Sequence, residues 1–311
     1  MNAATDIADP LRPRRSRRKG PLRFKPGLPG SLFRDVMEPR PLGGRFRAVR
    51  RMVFVAIWTL IAIPIQAVLM QLPGRGKIAF ARTYHRVLCR LIGLRVQVVG
   101  QAASGGSVLY ASNHTSWLDV LVLGSVLEAC FVSKGDIADW PVIKWVAHLG
   151  RSVFVSRERN RTGAEAAVMR ERLQAGDSLI LFPEGTSSDG TRVLPFRSSF
   201  LSVADSARAV QPVSVVYDRL GGLPACRRDR PLFAWYGDMD IASHFWRLAR
   251  RSGARATVLL HATVDPADFA DRKALTAAVG GVVAEGAAAL RQNRPARPLR
   301  AGSGGVPVPA A

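Results

Sequence analysis

The sequence predicts an α/β protein: a mixed, mostly parallel sheet flanked by helices on both faces, preceded by an N-terminal membrane-embedded helix and an amphipathic helix. Three observations predict it. Short β-rich runs alternate with helical patterns from residue 95 to about 292. Two polar constellations stand directly after apolar runs: Asn113-His114-Thr115-Ser116-Trp117-Leu118-Asp119 follows Val108-Leu109-Tyr110, and Phe182-Pro183-Glu184-Gly185-Thr186 follows Ser178-Leu179-Ile180-Leu181. Strand ends are where an α/β sheet assembles one site from distant parts of its chain. Finally, residues 53–72 carry no charge at all.

From the N-terminus, residues 1–51 hold fourteen Lys/Arg against four acids, +10 of the chain's formal +22. The densest stretch is Arg14-Arg15-Ser16-Arg17-Arg18-Lys19. This Pro/Arg/Gly-rich segment reads as a basic disordered tail. Such a tail suits anionic lipid head groups and nucleic acid about equally, and a purely solvating role is the third reading.

Residues 52–94 read as a membrane-anchoring pair of helices. At 1.5 Å per residue, twenty uncharged residues span about 30 Å, enough to cross a bilayer core. Basic residues flank the stretch on both sides and Pro64 interrupts it, so a hairpin entering and leaving the cytoplasmic face is favoured over a full span; a buried soluble helix is the remaining alternative. After Pro73-Gly74, residues Ile78, Ala81, Tyr84, Val87, Leu88, Leu91 and Ile92 recur at three- and four-residue steps, with Lys77, Arg82, Arg86 and Arg90 around them. That pattern is a cationic amphipathic helix for the head-group plane, or a core-facing helix with solvated arginines.

Residues 95–292 form the α/β domain. Strands are expected at 95–100, 107–111, 129–133, 152–156, 178–182, 212–217 and 256–264. Helices are expected near 117–127, 139–148, 163–174, 200–209, 239–250 and 267–292. Residues 293–311, rich in Pro, Gly and Ala, are expected to be a disordered tail.

Cys89, Cys130 and Cys226 are scattered and show no zinc spacing, so a reducing compartment and no metal are expected. The five histidines form no HExxH pair, and no GxxxxGK[ST] loop or GxSxG elbow occurs. Nucleotide hydrolysis and serine-hydrolase chemistry are therefore not expected.

His114 is the candidate general base and Asp119 its orienting acid. A helix opening at Ser116 or Trp117 would put Asp119 in its first turn, facing back to the loop. Ser116 is better placed as a helix cap than as a nucleophile. The pair therefore suggests direct transfer, the acceptor's own hydroxyl attacking. An HxxxxD spacing alone is also satisfied by a loop histidine capping a helix. Lys134, beyond the strand at 129–133, is a candidate for holding an oxyanion, or is an ordinary surface lysine.

The blocks Asn113–Asp119, Gly150-Arg151-Ser152-Val153-Phe154-Val155-Ser156-Arg157, Phe182–Ser188 and Gln211-Pro212-Val213 occur in this order. Together they resemble the glycerolipid acyltransferase family, specifically the 1-acylglycerol-3-phosphate acyltransferases, over residues 95–217 and loosely over the two N-terminal helices. The resemblance implies that His114 deprotonates a lysolipid hydroxyl, which attacks the thioester of an acyl-CoA or acyl carrier protein. It also implies acceptor binding by Asn113, Arg157, Glu184, Gly185, Thr186 and Arg197, with Pro212 shaping the donor pocket. No cofactor is implied. Phosphatidate synthesis at the cytoplasmic side of an inner membrane with an anionic surface is the expected function, and nucleic acid is not an expected partner.

Two departures stand against that acceptor. Ser187 occupies the position after Phe-Pro-Glu-Gly-Thr where phosphatidate-forming members commonly carry Arg, and Ser156 replaces an Asp. A related branch acylates lyso-ornithine lipid, which has no phosphate, and Trp235-Tyr236-Gly237-Asp238-Met239 with His244 and Trp246 resembles it. A non-catalytic basic membrane- or nucleic-acid-binding protein is the remotest alternative.

Overall fold

The computed structural model describes residues 44–134, 153–155 and 162–301. Seven strands run side by side in one sheet, with an eighth paired at its margin. They are β1 (Leu94–Val99), β2 (Val108–Ser112), β3 (Cys130–Lys134), β4 (Val153–Val155), β5 (Leu179–Leu181), β6 (Ala209–Leu220), β7 (Leu223–Pro224) and β8 (Ala254–Leu260). Their spatial order is β1-β8-β6-β2-β5-β3-β4, with β7 folded back on β6. All neighbours are parallel except β6–β8 and β6–β7. The sheet is mixed and mostly parallel, as the alternation predicts.

Helices cover both faces because the central strands are apolar on both sides. In β2, Val108 and Tyr110 join one buried cluster and Leu109 and Ala111 the other. The first face is closed by α2 (Gly76–Ile92), α3 (Leu118–Val126), α5 (Arg230–Phe233) and α6 (Ile241–Ala249). The second is closed by α4 (Thr162–Gln174) and α7 (Arg272–Arg291).

The first helix, α1, spans Arg45–Gln71 and continues through Pro64. It therefore begins before the expected boundary at 52. Arg51 explains this: its guanidinium donates to the carbonyls of Ala249 and Arg251, at 3.0 and 2.8 Å. Further along, Trp58 Nε1 donates to Tyr84 O and Gln66 Nε2 to Lys77 O. The helix is thus fastened along its length to α2 and the end of α6. Its other side is bare: Phe46 is 78% exposed and Leu60 70%. Between α2 and β1, Gly93 takes a left-handed φ of +80°, and a Cβ there would collide with the Arg51 guanidinium.

Three expectations are corrected. Residues 200–209 form no α-helix but two 3₁₀ turns, Ser198–Leu201 and Ala204–Ser206. Parallel pairing of Ala209 with Val108 claims the following residues for β6. The last strand stops at Leu260 rather than 264: beyond the His261 N–Pro212 O bond the regular ladder breaks, and only Val264 returns, as an isolated antiparallel bridge to Val210. The tail is ordered to residue 301: Leu299 is buried, its N–H reaches His261 Nδ1, and its carbonyl accepts from Ala262 N. The expected tail of 1–43, the helix at 139–148 and most of the block 150–157 lie outside the described residues.

The carboxyl-terminal α7 is long and apolar enough to cross a membrane, but it is a core helix. Its Val279, Val282, Val283 and Ala287 are buried against the sheet. Close approach needs Gly286, where a Cβ would meet His261 Cε1 at 2.5 Å and Ser214 Oγ at 2.8 Å. Those two groups form a buried relay. His261 Nδ1 accepts from Leu299 N, its Nε2–H donates to Ser214 Oγ, and Ser214 donates to Val283 O. Burial holds His261 down to about 3, so this Ser/His pair is neutral and structural.

Gly286→Ala is expected to destabilise the protein by about 1–3 kcal/mol through overpacking. Gly281→Ala, one turn earlier with nothing within 4 Å of the added carbon, is expected to be neutral or stabilising by up to about 1 kcal/mol. Denaturant unfolding of the two variants beside the parent measures both.

Candidate active site

The site forms where β2 leaves the sheet. Beyond Ser112, the Asn113 side chain takes over the role of a strand backbone. Its Nδ2 donates to Val215 O at 2.9 Å and its Oδ1 accepts from Val215 N at 2.8 Å. The amide is thereby spent on β6, and Asn113 is a positioning residue rather than one facing an acceptor. The chain then turns through His114, Thr115 and Ser116 into α3. Ser116 Oγ accepts from Leu118 N, as expected of a cap.

Asp119, in the first turn of α3, is completely buried and accepts four hydrogen bonds. Oδ2 takes His114 Nδ1 at 2.9 Å, Thr115 N at 2.6 Å and Ser116 N at 2.9 Å. Oδ1 takes the Tyr217 hydroxyl at 2.6 Å. Burial and the neighbouring Asp119 charge hold the Tyr217 hydroxyl well above its ordinary range, so it remains a donor. Fixed through Nδ1–H, the His114 ring carries its lone pair on Nε2, and its side chain is 20% exposed. Phe182 stacks beneath it, centroids 4.1 Å apart. The arrangement can take a proton at Nε2 and stabilise the imidazolium that forms.

The second constellation clasps the first. Glu184 Oε1 accepts from His114 N at 2.7 Å and Oε2 from Leu194 N at 2.8 Å, while Ser188 N donates to His114 O at 2.9 Å. Both Glu184 oxygens are occupied by backbone. Gly185, at φ +71°, closes the turn against Phe200 and the Arg197 guanidinium. Thr186 and Arg197 are exposed, and Ser187 is half-buried. Pro212 is buried inside β6, paired in register with Ala111, at a position where only its carbonyl is used, by His261 N. Lys134 closes β3 in register with Val155. Its side chain, like Arg157, is outside the described part.

No pattern in the residues points to Tyr217 as a second partner of Asp119, or to Trp235 N donating to Thr115 O at 2.9 Å. His244 was visible only as one residue of a loosely matching stretch. It is buried, and its Nδ1 accepts from Trp117 Nε1 at 3.1 Å. Burial, then the Arg247 charge, lowers it to about 4. It is a neutral prop for Trp117.

Burial pushes the Glu184 carboxyl up to about 7, against the pull of its two backbone donors. A carboxyl raised in the folded state stabilises the fold fully below its unfolded value near 4.5, and that contribution is lost as pH rises through about 7. Unfolding free energy is therefore expected to fall from this group between pH 5 and 7.5. Glu184→Gln, neutral throughout, is expected to flatten that segment of the pH–stability curve.

Comparison with known proteins agrees with this geometry. The family model described as "Acyltransferase" matches residues 95–217. The lyso-ornithine lipid O-acyltransferase of Brucella abortus (strain 2308) is 36% identical over 237 residues, covering 72% of this chain and 89% of that protein. The 1-acyl-sn-glycerol-3-phosphate acyltransferase of Neisseria gonorrhoeae is 33% identical over 172 residues, 54% of this chain and 64% of that protein. The crystal structure of the 1-acyl-sn-glycerophosphate acyltransferase of Thermotoga maritima superposes with a TM-score of 0.56 at 20% identity, over 78% of this chain and 98% of that one, a likeness of fold. A relative 36% identical and matched over nearly nine-tenths of its own length settles the assignment: this chain belongs to the glycerolipid acyltransferase family and is an O-acyltransferase.

Proposed function

We propose that this protein transfers an acyl chain from an acyl thioester, on CoA or an acyl carrier protein, to the free hydroxyl of lyso-ornithine lipid at a membrane surface. His114 Nε2 removes the hydroxyl proton, and the oxygen attacks the thioester carbonyl. The C–S bond breaks as the ester C–O bond forms, and the imidazolium returns its proton to the departing thiolate. Asp119 holds the tautomer and stabilises the charged ring. Lys134, at the end of β3, is the proposed holder of the oxyanion, and Arg157 and Arg197 the proposed acceptor-side cations.

The observation that carries the acceptor is Ser187. It leaves the Glu-Gly loop without the guanidinium that a phosphate monoester would use, and the lyso-ornithine relative is matched over far more of its length than the phosphate-acceptor relative. Phosphatidate synthesis is the second reading, supported by the Neisseria gonorrhoeae protein and by Arg192 and Arg197 in the same loop.

The bare face of α1 supports anchoring by insertion into one leaflet, and the cytoplasmic side of an inner membrane is the proposed location. Bonds at Arg51, Trp58 and Gln66 hold the helix along the domain, and that position suits a helix lying in the interface better than one crossing it. Replacing exposed Leu60 and Ile61 together with Glu is expected to remove the protein from floated anionic liposomes while leaving its unfolding transition in place.

In mixed micelles with one labelled donor, kcat/KM for lyso-ornithine lipid is expected to exceed that for lysophosphatidate by about tenfold or more. His114→Ala is expected to lower turnover about 10²–10⁴-fold. Preference for lysophosphatidate would return the assignment to phosphatidate synthesis, and full turnover by the His114 variant would refute the mechanism.

A further inference from the structure

Beside the catalytic loop opens a groove of about 960 Å³ that the acyl-transfer steps above do not use. Thr115 and Tyr217 line it, and Asp189, Arg227, Arg230 and Arg291 charge it beside the paired Asp218. It borders the loop that holds His114. Thr115 follows the base, and Asp189 follows Ser188, whose N–H holds the His114 carbonyl.

The charges have an unusual disposition. Arg230, in the short helix α5, and Arg291, the last residue of α7, are both half-buried. Among the described residues neither guanidinium makes a salt bridge or hydrogen bond, whereas Asp218 in the same groove is fully engaged by Arg255 and Thr257. Burial, and then the neighbouring Arg230 charge, hold the Arg291 guanidinium below its ordinary range. Two like charges facing one cavity without a bonded counter-ion are a site in want of an anion. Glu184 lies within electrostatic reach of Arg291, but both its oxygens accept from backbone N–H groups; Asp189 lies within reach of both arginines, but its Oδ1 is committed to Thr191 and it stays exposed.

We propose that Arg230 and Arg291 bind the free α-carboxylate of the acceptor's ornithine head group while Asp189 receives its δ-ammonium. This rests on the lyso-ornithine reading and names the residues that enforce it. In that acceptor the α-amino group is acylated, so one carboxylate and one ammonium remain. A groove with two half-buried arginines, a third, exposed arginine (Arg227) and one rim anion complements such a zwitterion. A phosphate monoester presents only negative charge and meets Asp189 as a repulsive neighbour. The loop that lacks an arginine at Ser187 and the groove that half-buries Arg230 and Arg291 are then parts of one change of head group.

The test compares lyso-ornithine lipid with its carboxamide analogue in the parent, Arg230→Gln and Arg291→Gln, with thermal unfolding confirming each fold. In the parent, KM for the carboxamide is expected to exceed that for the carboxylate by about ten- to a hundredfold, the range of a charge-assisted hydrogen bond. Each variant is expected to lose that much for the carboxylate, lose nothing further for the carboxamide, and keep kcat within about threefold of the parent. Equal loss on both acceptors, or a parent indifferent to the carboxamide, would overturn the subsite while leaving lyso-ornithine acylation standing. A parent that acylates lysophosphatidate and ignores lyso-ornithine lipid would overturn both.

Discussion

A single buried carboxylate organises this molecule's chemistry. Asp119 is removed entirely from water, and an isolated ionised carboxyl in such a place would cost many kcal/mol. The fold meets that cost with four donors from two segments: the loop after β2 and the far end of β6. Because the donors surround both oxygens, the carboxylate cannot rotate without breaking several bonds at once. The His114 ring inherits that fixity through Nδ1, and Nε2 is left as its one free basic atom.

The strands deliver these donors because β2 and β6 are parallel neighbours, register-locked from Val108/Ala209 to Ser112/Val213. Asn113 carries the lock two residues beyond the last ladder bond by pairing with Val215 through its side chain. Glu184, on the chain leaving β5, holds the backbone N–H of His114 from the other side. The His114 main chain is thus gripped from the β5 side, by Glu184 and Ser188, while β6 holds its neighbour Asn113 and its partner Asp119. A chain of ring contacts, stacked at its ends and edge-to-face around His85, extends the grip outward from His114 to Phe182, Phe131, His85, Tyr84 and Trp58 of α1. The helix proposed to meet the membrane and the atom proposed to take the proton belong to one packed block.

Much of this was legible in the sequence, for identifiable reasons. Strand positions followed from apolar runs bounded by turn residues, and the His114–Asp119 pairing followed from a spacing that a loop-to-helix turn closes. Five of the seven expected strands lie within one residue at each end of those observed; 212–217 falls three residues short of β6 at both ends, and 256–264 starts two residues late and overruns β8 by four. The roles of Asn113 and Glu184 were not legible as they stand. Polar side chains in ordered motifs read as substrate contacts, and only coordinates reveal that their partners are backbone groups seventy to a hundred residues away. The same blindness to non-local pairing hid Tyr217, the antiparallel turn of β8 against β6, and the return of Leu299 to His261.

Histidine burial shows how selectively the chain assigns its bases. Four histidines besides His148 can be compared, and three are neutralised by their surroundings: His85 and His244 near 4 and His261 near 3, burial being the leading cause each time. Each also spends a ring nitrogen on a fixed local partner, Ala81 O, Trp117 Nε1 or Leu299 N. His114 differs in kind: it is partly open, and its fixed partner is a carboxylate. A protonated ring at the other three positions would lack a counter-charge, whereas at His114 the counter-charge is already in place before the proton arrives. Preorganisation of that sort distinguishes a base from a structural imidazole, and it is the reason His114, the one described histidine that borders solvent and holds a buried acid, is the proposed base.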